Sequence, residues 1–156
     1  MNKLNQKGLS LIEVMIALAV FSFGLLALAA LMASGLKYNT SALHRSHATS
    51  QAYDMGDRMR ANRLGLDAGY YNNLSDSGTD PDCIGSGCTP EQMAQYDTWQ
   101  WNTDNARLLP EGAGTVSLKS DDPESAYFGL YTITVSWNDD RDPDTAADSF
   151  VFELQP

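Results

Sequence analysis

The chain is short of the residues on which catalysis and nucleic-acid binding depend. Its 156 residues include two cysteines and two histidines. Beyond Arg63, three Lys or Arg stand against seventeen Asp or Glu, a balance of −14. Residues 1–63 carry seven against three, a balance of +4, and the whole chain has a net charge of −10. Phosphate contacts need a basic surface, so a body this acidic argues against direct nucleic-acid binding. It reads instead as a solvated, soluble surface. His44 and His47 stand three apart, with no Cys, Asp or Glu near them at metal-ligand spacing, and no G-x-S-x-G elbow occurs. Neither an enzyme nor a cofactor is expected.

Cys83 and Cys88 lie in "DCIGSGCT", a Gly/Ser-rich stretch that reads as a loop. Zinc would need two more ligands, and both histidines are far upstream. A small disulfide formed outside the cytoplasm, pinning a loop, is the better reading.

Charge is also missing from Val14 to Ala33, "VMIALAVFSFGLLALAALMA". Those twenty residues have about the length a helix needs to cross the hydrocarbon core. The run is longer than the core of a cleaved secretory signal. A plain anchor would fit the length but leaves Glu13 unexplained. A carboxylate costs about 3 kcal/mol at the bilayer centre and less near the edge. Such a residue is expected to have a partner, Lys7 being one candidate; a solvated interfacial glutamate is the ordinary alternative.

Helical signals continue past this run. No proline occurs from Leu36 to Arg63, and Ala48, Ala52, Met55 and Met59 share one helix face. Asp54 and Arg58, four apart, are placed to pair. Residues 9–63 as one helix would be about 80 Å long. "DMGDRMRANR", Asp54–Arg63, reads by composition as the solvated end of that helix, with basic residues favoured near its C-terminus. Residues 64–89 are rich in Gly, Asn, Asp and Ser and read as loop. Thr89 followed by Pro90 is a helix start. Met93, Tyr96, Trp99 or Gln100, and Ala106 suggest the face that this second helix lays over a sheet. Its aromatics are packing residues, because no basic groove accompanies them as base stacking would require.

Three strands follow. Gly114–Lys119 leads out of a turn. In "FGLYTITVSWND", Tyr131, Ile133, Val135 and Trp137 alternate with Leu130, Thr132, Thr134 and Ser136. In "SFVFELQ", Phe150, Phe152 and Leu154 share a face. Consecutive strands without an intervening helix indicate an antiparallel meander, and a long helix packed on it makes an α+β fold. Between the last two strands, Asp140, Asp142 and Asp144 alternate like the first ligands of a calcium loop, but the turn glycine and closing glutamate of an EF-hand are missing. A solvated hairpin loop is the main reading, with weak calcium binding as the alternative.

"KGLSLIEV", Lys7–Val14, followed by the apolar run, resembles the class III leader of type IV pilins and pseudopilins. The resemblance implies cleavage by a prepilin peptidase between Gly8 and Leu9 and methylation of the new amine on Leu9. Leu9 departs from the usual phenylalanine. Lys3 and Lys7 would form the short basic leader, in keeping with the positive-inside tendency. Glu13 would pair with the terminal amine of a neighbouring subunit; opposite charges in an apolar bundle are tolerated when paired and costly when alone. The implied organisation is a leader over 1–8, a transmembrane and assembly helix over 9–35, and a periplasmic pilin-like domain over 36–156. "DMGDRMRANR", "QYDTWQWN" (Gln95–Asn102) and "LLPEGAGTV" (Leu108–Val116) are similar to stretches of the PilV group of minor pilins, often labelled type IV pilus modification proteins. That likeness implies an inner-membrane subunit, later at the cell surface in a pilus. It would help prime assembly near the tip and support adhesion or twitching motility. Its partners would be other minor pilins, the major pilin, the peptidase and the inner-membrane assembly machinery. The leader alone fits a minor pseudopilin of a type II secretion system equally well.

Overall fold

A computed structural model describes residues 8, 10–75, 78–139 and 146–156. The chain divides into two compact units, Met1–Thr40 and Ser41–Pro156. Helix α1, Leu11–Ala61, supplies the described helix of the first unit and enters the second. Leu9 and the acidic residues Asp140, Asp142 and Asp144 lie outside the described residues.

In the second unit the expected face of α1 is the buried one. Ala48, Ala52, Met55 and Met59 are fully buried, joined by Gly56. The side chains of Phe152, Leu154 and Ile133 sit directly over Gly56. Small residues here let the helix approach the sheet closely.

The span 64–89 contains more than loop. Helix α2, Arg63–Asp67, starts where the Asn62 side chain accepts from the Gly65 N–H. Strand β1 is Asn73–Leu74, and a single helical turn, α3, covers Cys83–Ser86. These short pieces have no periodicity to read. They exist because a cap, a sheet edge and a disulfide hold them.

Helix α4, Pro90–Leu108, opens with a full capping box in which Thr89 and Gln92 satisfy each other's backbone N–H groups. Its buried face is not the apolar set expected from the sequence. Ala94, Asp97, Thr98, Trp101, Asn102 and Asn105 are buried, while Met93, Tyr96, Trp99 and Gln100 are half-buried and Ala106 is exposed. Asp97, Thr98 and Asn102 are tolerated inside because hydrogen bonds replace water for them, whereas the buried Asn105 amide has no partner among the described residues. Thr98 donates to the Ala94 carbonyl. Asn102 accepts from the Gly114 N–H and donates to the Gly114 carbonyl.

Strands β2 (Ala113–Leu118), β3 (Tyr131–Trp137) and β4 (Asp148–Leu154) complete an antiparallel sheet of order β1-β2-β3-β4. The sheet has four described strands where three were expected, β1 being the addition. Along β3, Tyr131, Ile133, Val135 and Trp137 are buried and the alternate residues are half-buried, as the pattern of the sequence required. Trp101 is fully buried, its ring lies against Gly114, and its indole N–H donates to the Gln51 carbonyl of α1. The result is an α+β fold, a long helix packed on a small antiparallel sheet.

Candidate functional site

The candidate assembly site begins at the start of α1. Ser10 stands just before the first helical residue, and its carbonyl accepts from the N–H groups of Glu13 and Val14. Glu13 therefore sits in the first turn, where a carboxylate is favoured by the exposed N–H groups and the helix dipole. Its side chain borders a shallow groove whose other walls are Val14, Ala17, Leu18 and Phe21. Among the described residues, none has a heavy atom within 4 Å of where a side chain at Gly8 would begin.

From Leu11 to Leu36 the large apolar side chains are 44–80% exposed. Each one left in water forfeits about 1.5–3 kcal/mol of burial free energy. A surface of this kind requires lipid or neighbouring helices. The helix is long and apolar enough to cross a membrane. Ser22, the one hydroxyl in the Val14–Ala33 run, donates to the Leu18 carbonyl at 2.7 Å, so it makes no demand on water.

A second constellation lies in the other unit, where "DMGDRMRANR" reads by composition as a solvated helix end. Here Asp57, Arg60 and Arg63 are exposed as expected, and the structure departs from that reading at Arg58. The Arg58 side chain is only 20% exposed. It donates to Asp54 at 2.7 Å and to Gln100 at 2.8 Å, and it lies 3.5 Å from Asp97. The Tyr71 hydroxyl donates to Asp97 at 2.6 Å, and Asn62 donates to the Tyr71 oxygen and to the Pro90 carbonyl. Burial pushes the Asp97 carboxyl above the ordinary carboxylate range, outweighing Tyr71 and Arg58, which lower it. Burial, then the bond to Asp97, holds the Tyr71 phenol well above its usual value. Burial lowers Arg58, but Asp54 and Asp97 outweigh it and the guanidinium is held more firmly charged. Each side chain in this network is bonded to another, which leaves it structural in character.

His44 also gains a partner that its neighbours in sequence do not reveal. Its Nδ1 lies 2.5 Å from Asp139, which also accepts from the Trp137 indole at 2.9 Å. Burial would raise the Asp139 carboxyl, but bonds from Ser41, His44 and Trp137 outweigh it and hold the group low. Among the described residues no three His, Cys, Asp or Glu converge as metal ligands. Cys83 and Cys88 are joined, with Cα atoms 5.0 Å apart, and the bridge closes the α3 turn next to the start of α4.

An apolar helix behind a short basic leader, carried on a small helix-and-sheet domain, defines a pilin-like structural subunit. The prokaryotic N-terminal methylation motif matches residues 3–29, and the Tt1218-like family, described as type IV pilin Tt1218, matches residues 30–99. The chain belongs to the type IV pilin superfamily. Curated proteins and solved structures give no match. The family is one of structural subunits rather than enzymes, and such a chain is membrane-anchored first and later part of a pilus with other pilins.

Proposed function

We propose that this protein is a minor pilin of a type IV pilus, of the PilV kind, which helps prime assembly at or near the tip and supports adhesion or twitching motility. The observation that carries the reading is a convergence. The three stretches that resemble the PilV group, the first well separated in sequence from the other two, interlock in the fold. Arg58 of the first binds Asp97 and Gln100 of the second. Trp101 and Asn102 of the second pack on and bond to Gly114 of the third. The likeness thus falls on residues that depend on one another physically.

In this reading residues 1–8 are removed between Gly8 and Leu9 by a prepilin peptidase, which methylates the Leu9 amine. Residues 9–35 hold the subunit in the inner membrane as a single span, and residues 36–156 fold in the periplasm. The Cys83–Cys88 bridge suits that oxidising compartment. Glu13 pairs with the Leu9 amine of a neighbouring subunit as the helices gather, fixing their register.

Pilus sheared from cells lacking the gene, compared with cells in which it is restored, tests the proposal, with secreted exoprotein assayed in the same cultures. Surface pili should fall and return with the gene while secretion holds. Unchanged pili with failed secretion would instead assign the chain to a type II secretion pseudopilus.

A further inference from the structure

Strand β4 lies at the end of the sheet and lacks the devices that usually blunt an edge. It contains no Pro, Lys or Arg, and its seven residues pair with β3 one for one, without a bulge. Among the described residues no backbone hydrogen bond reaches it from any element but β3. Its two carboxylates are already answered from within the chain: Asp148 lies 3.7 Å from Arg45, and Glu153 is paired with Lys119. Among the described residues of the strand, no charge lacks a counter-charge.

The packing beneath is also incomplete. Phe150 and Phe152 are half-buried, while Val135 and Ile133, opposite them on β3, are fully buried. Tyr53, 51% exposed, has its ring 4.7 Å from that of Phe152, and Val151 is 54% exposed on the other face. A further strand would cover the phenylalanines and take up the free backbone groups in one step.

We infer that β4 is a pairing edge for the outer strand of a different pilin-class subunit whose domain carries net positive charge. This rests on the pilin reading above, because that reading fixes how neighbours are oriented. Subunits anchored by the same kind of helix share one direction. In an antiparallel sheet of four strands, the first and last run oppositely, so a neighbour in the same orientation presents its first strand antiparallel to β4. A second copy of this chain does not fit that place, since its β1 has two residues against the seven of β4. Antiparallel pairing of β4 with another β4 needs a two-fold axis normal to the sheet, which would reverse one helix relative to the other. The balance of −14 beyond residue 63 also repels a second copy and selects a basic partner.

The test uses the full-length chain in cells. A benzoyl-phenylalanine cross-linker at Val151 is compared with one at Thr115, an exposed outer-face position of β2 away from the edge. Illumination should join Val151, and not Thr115, to an outer-strand peptide of another leader-bearing subunit with a basic domain. Adducts to a second copy, to a protein of another class, or equally from both positions overturn the inference, as does no adduct in filaments that contain the chain. In parallel, Val151→Lys should lower the amount of this subunit in sheared filaments about tenfold while its melting temperature is kept. Ser149→Lys, at the next outward position, serves if the first variant melts lower. If the unaltered chain is missing from sheared filaments, the pilin reading fails. If it is present and the lysine variants enter equally, only the edge inference fails.

Discussion

The Tyr71 hydroxyl donates a 2.6 Å hydrogen bond to Asp97, and that bond joins two parts of the chain 26 residues apart inside the protein. Asp97 is buried, and the aromatic ring of Tyr71 is fully enclosed. Tyr71→Phe keeps the ring and removes the donor, leaving a buried carboxylate short of one partner. The expected loss is about 1–3 kcal/mol, measured by thermal or denaturant unfolding of the full chain in detergent. No loss would show that the bond only replaces an equivalent one with water.

The same carboxylate sets a pH signature. Asp97 has a folded-state value raised above 3.8, so its charged form opposes folding. Its contribution therefore becomes more favourable as pH falls through the folded value towards 3.8. Asp139 is lowered, so its stabilisation is present above 3.8 and is lost as pH falls through its folded value. Relative to wild type, Asp97→Asn should look progressively worse on acidification from neutrality to about pH 4, and Asp139→Asn progressively better as pH falls below 3.8. Melting curves at several pH values read both slopes; parallel slopes would refute the assignment.

Gly114 lies where an added Cβ would overlap the Trp101 ring and the Asn105 amide. Gly114→Ala is expected to cost about 1–3 kcal/mol by forcing the indole off its seat. Tryptophan fluorescence should shift along with the melting temperature. An unchanged spectrum and melt would mean that the pocket has slack.

Joining Cys83 to Cys88, five apart in sequence, closes a small loop, and the expected stabilisation is about 2 kcal/mol. Cys83→Ser with Cys88→Ser should lower stability by that amount and leave the helix and sheet signals intact. Intact mass before and after reduction checks the bridge directly, since reduction adds two hydrogens.

The proposed processing predicts two separable defects. Gly8 replaced by a larger residue should leave the leader uncut, seen as a heavier band on a gel. Glu13→Ala should still be trimmed and inserted but enter filaments poorly. Trimming in the first case, or normal incorporation in the second, would refute the corresponding step.

What the sequence by itself determined was what depends on local order and periodicity. The apolar run of α1, the Ala48–Met59 face, the alternation of β3 and the Thr89–Pro90 start of α4 each follow from spacing within one element. The structure reproduces them. What only the tertiary structure decided depends on partners distant in sequence. Asp97, Asn102 and Asn105 look like surface residues of α4, but Asp97 and Asn102 lie inside because Tyr71, Arg58 and the Gly114 backbone supply their hydrogen bonds. Strand β1 exists because β2 offers it an edge, and His44 meets Asp139 across 95 residues. The physical reason is the same throughout. Hydrophobic spacing is written along the chain, whereas the permission to bury a polar group comes from whichever distant atoms the fold brings within hydrogen-bond reach.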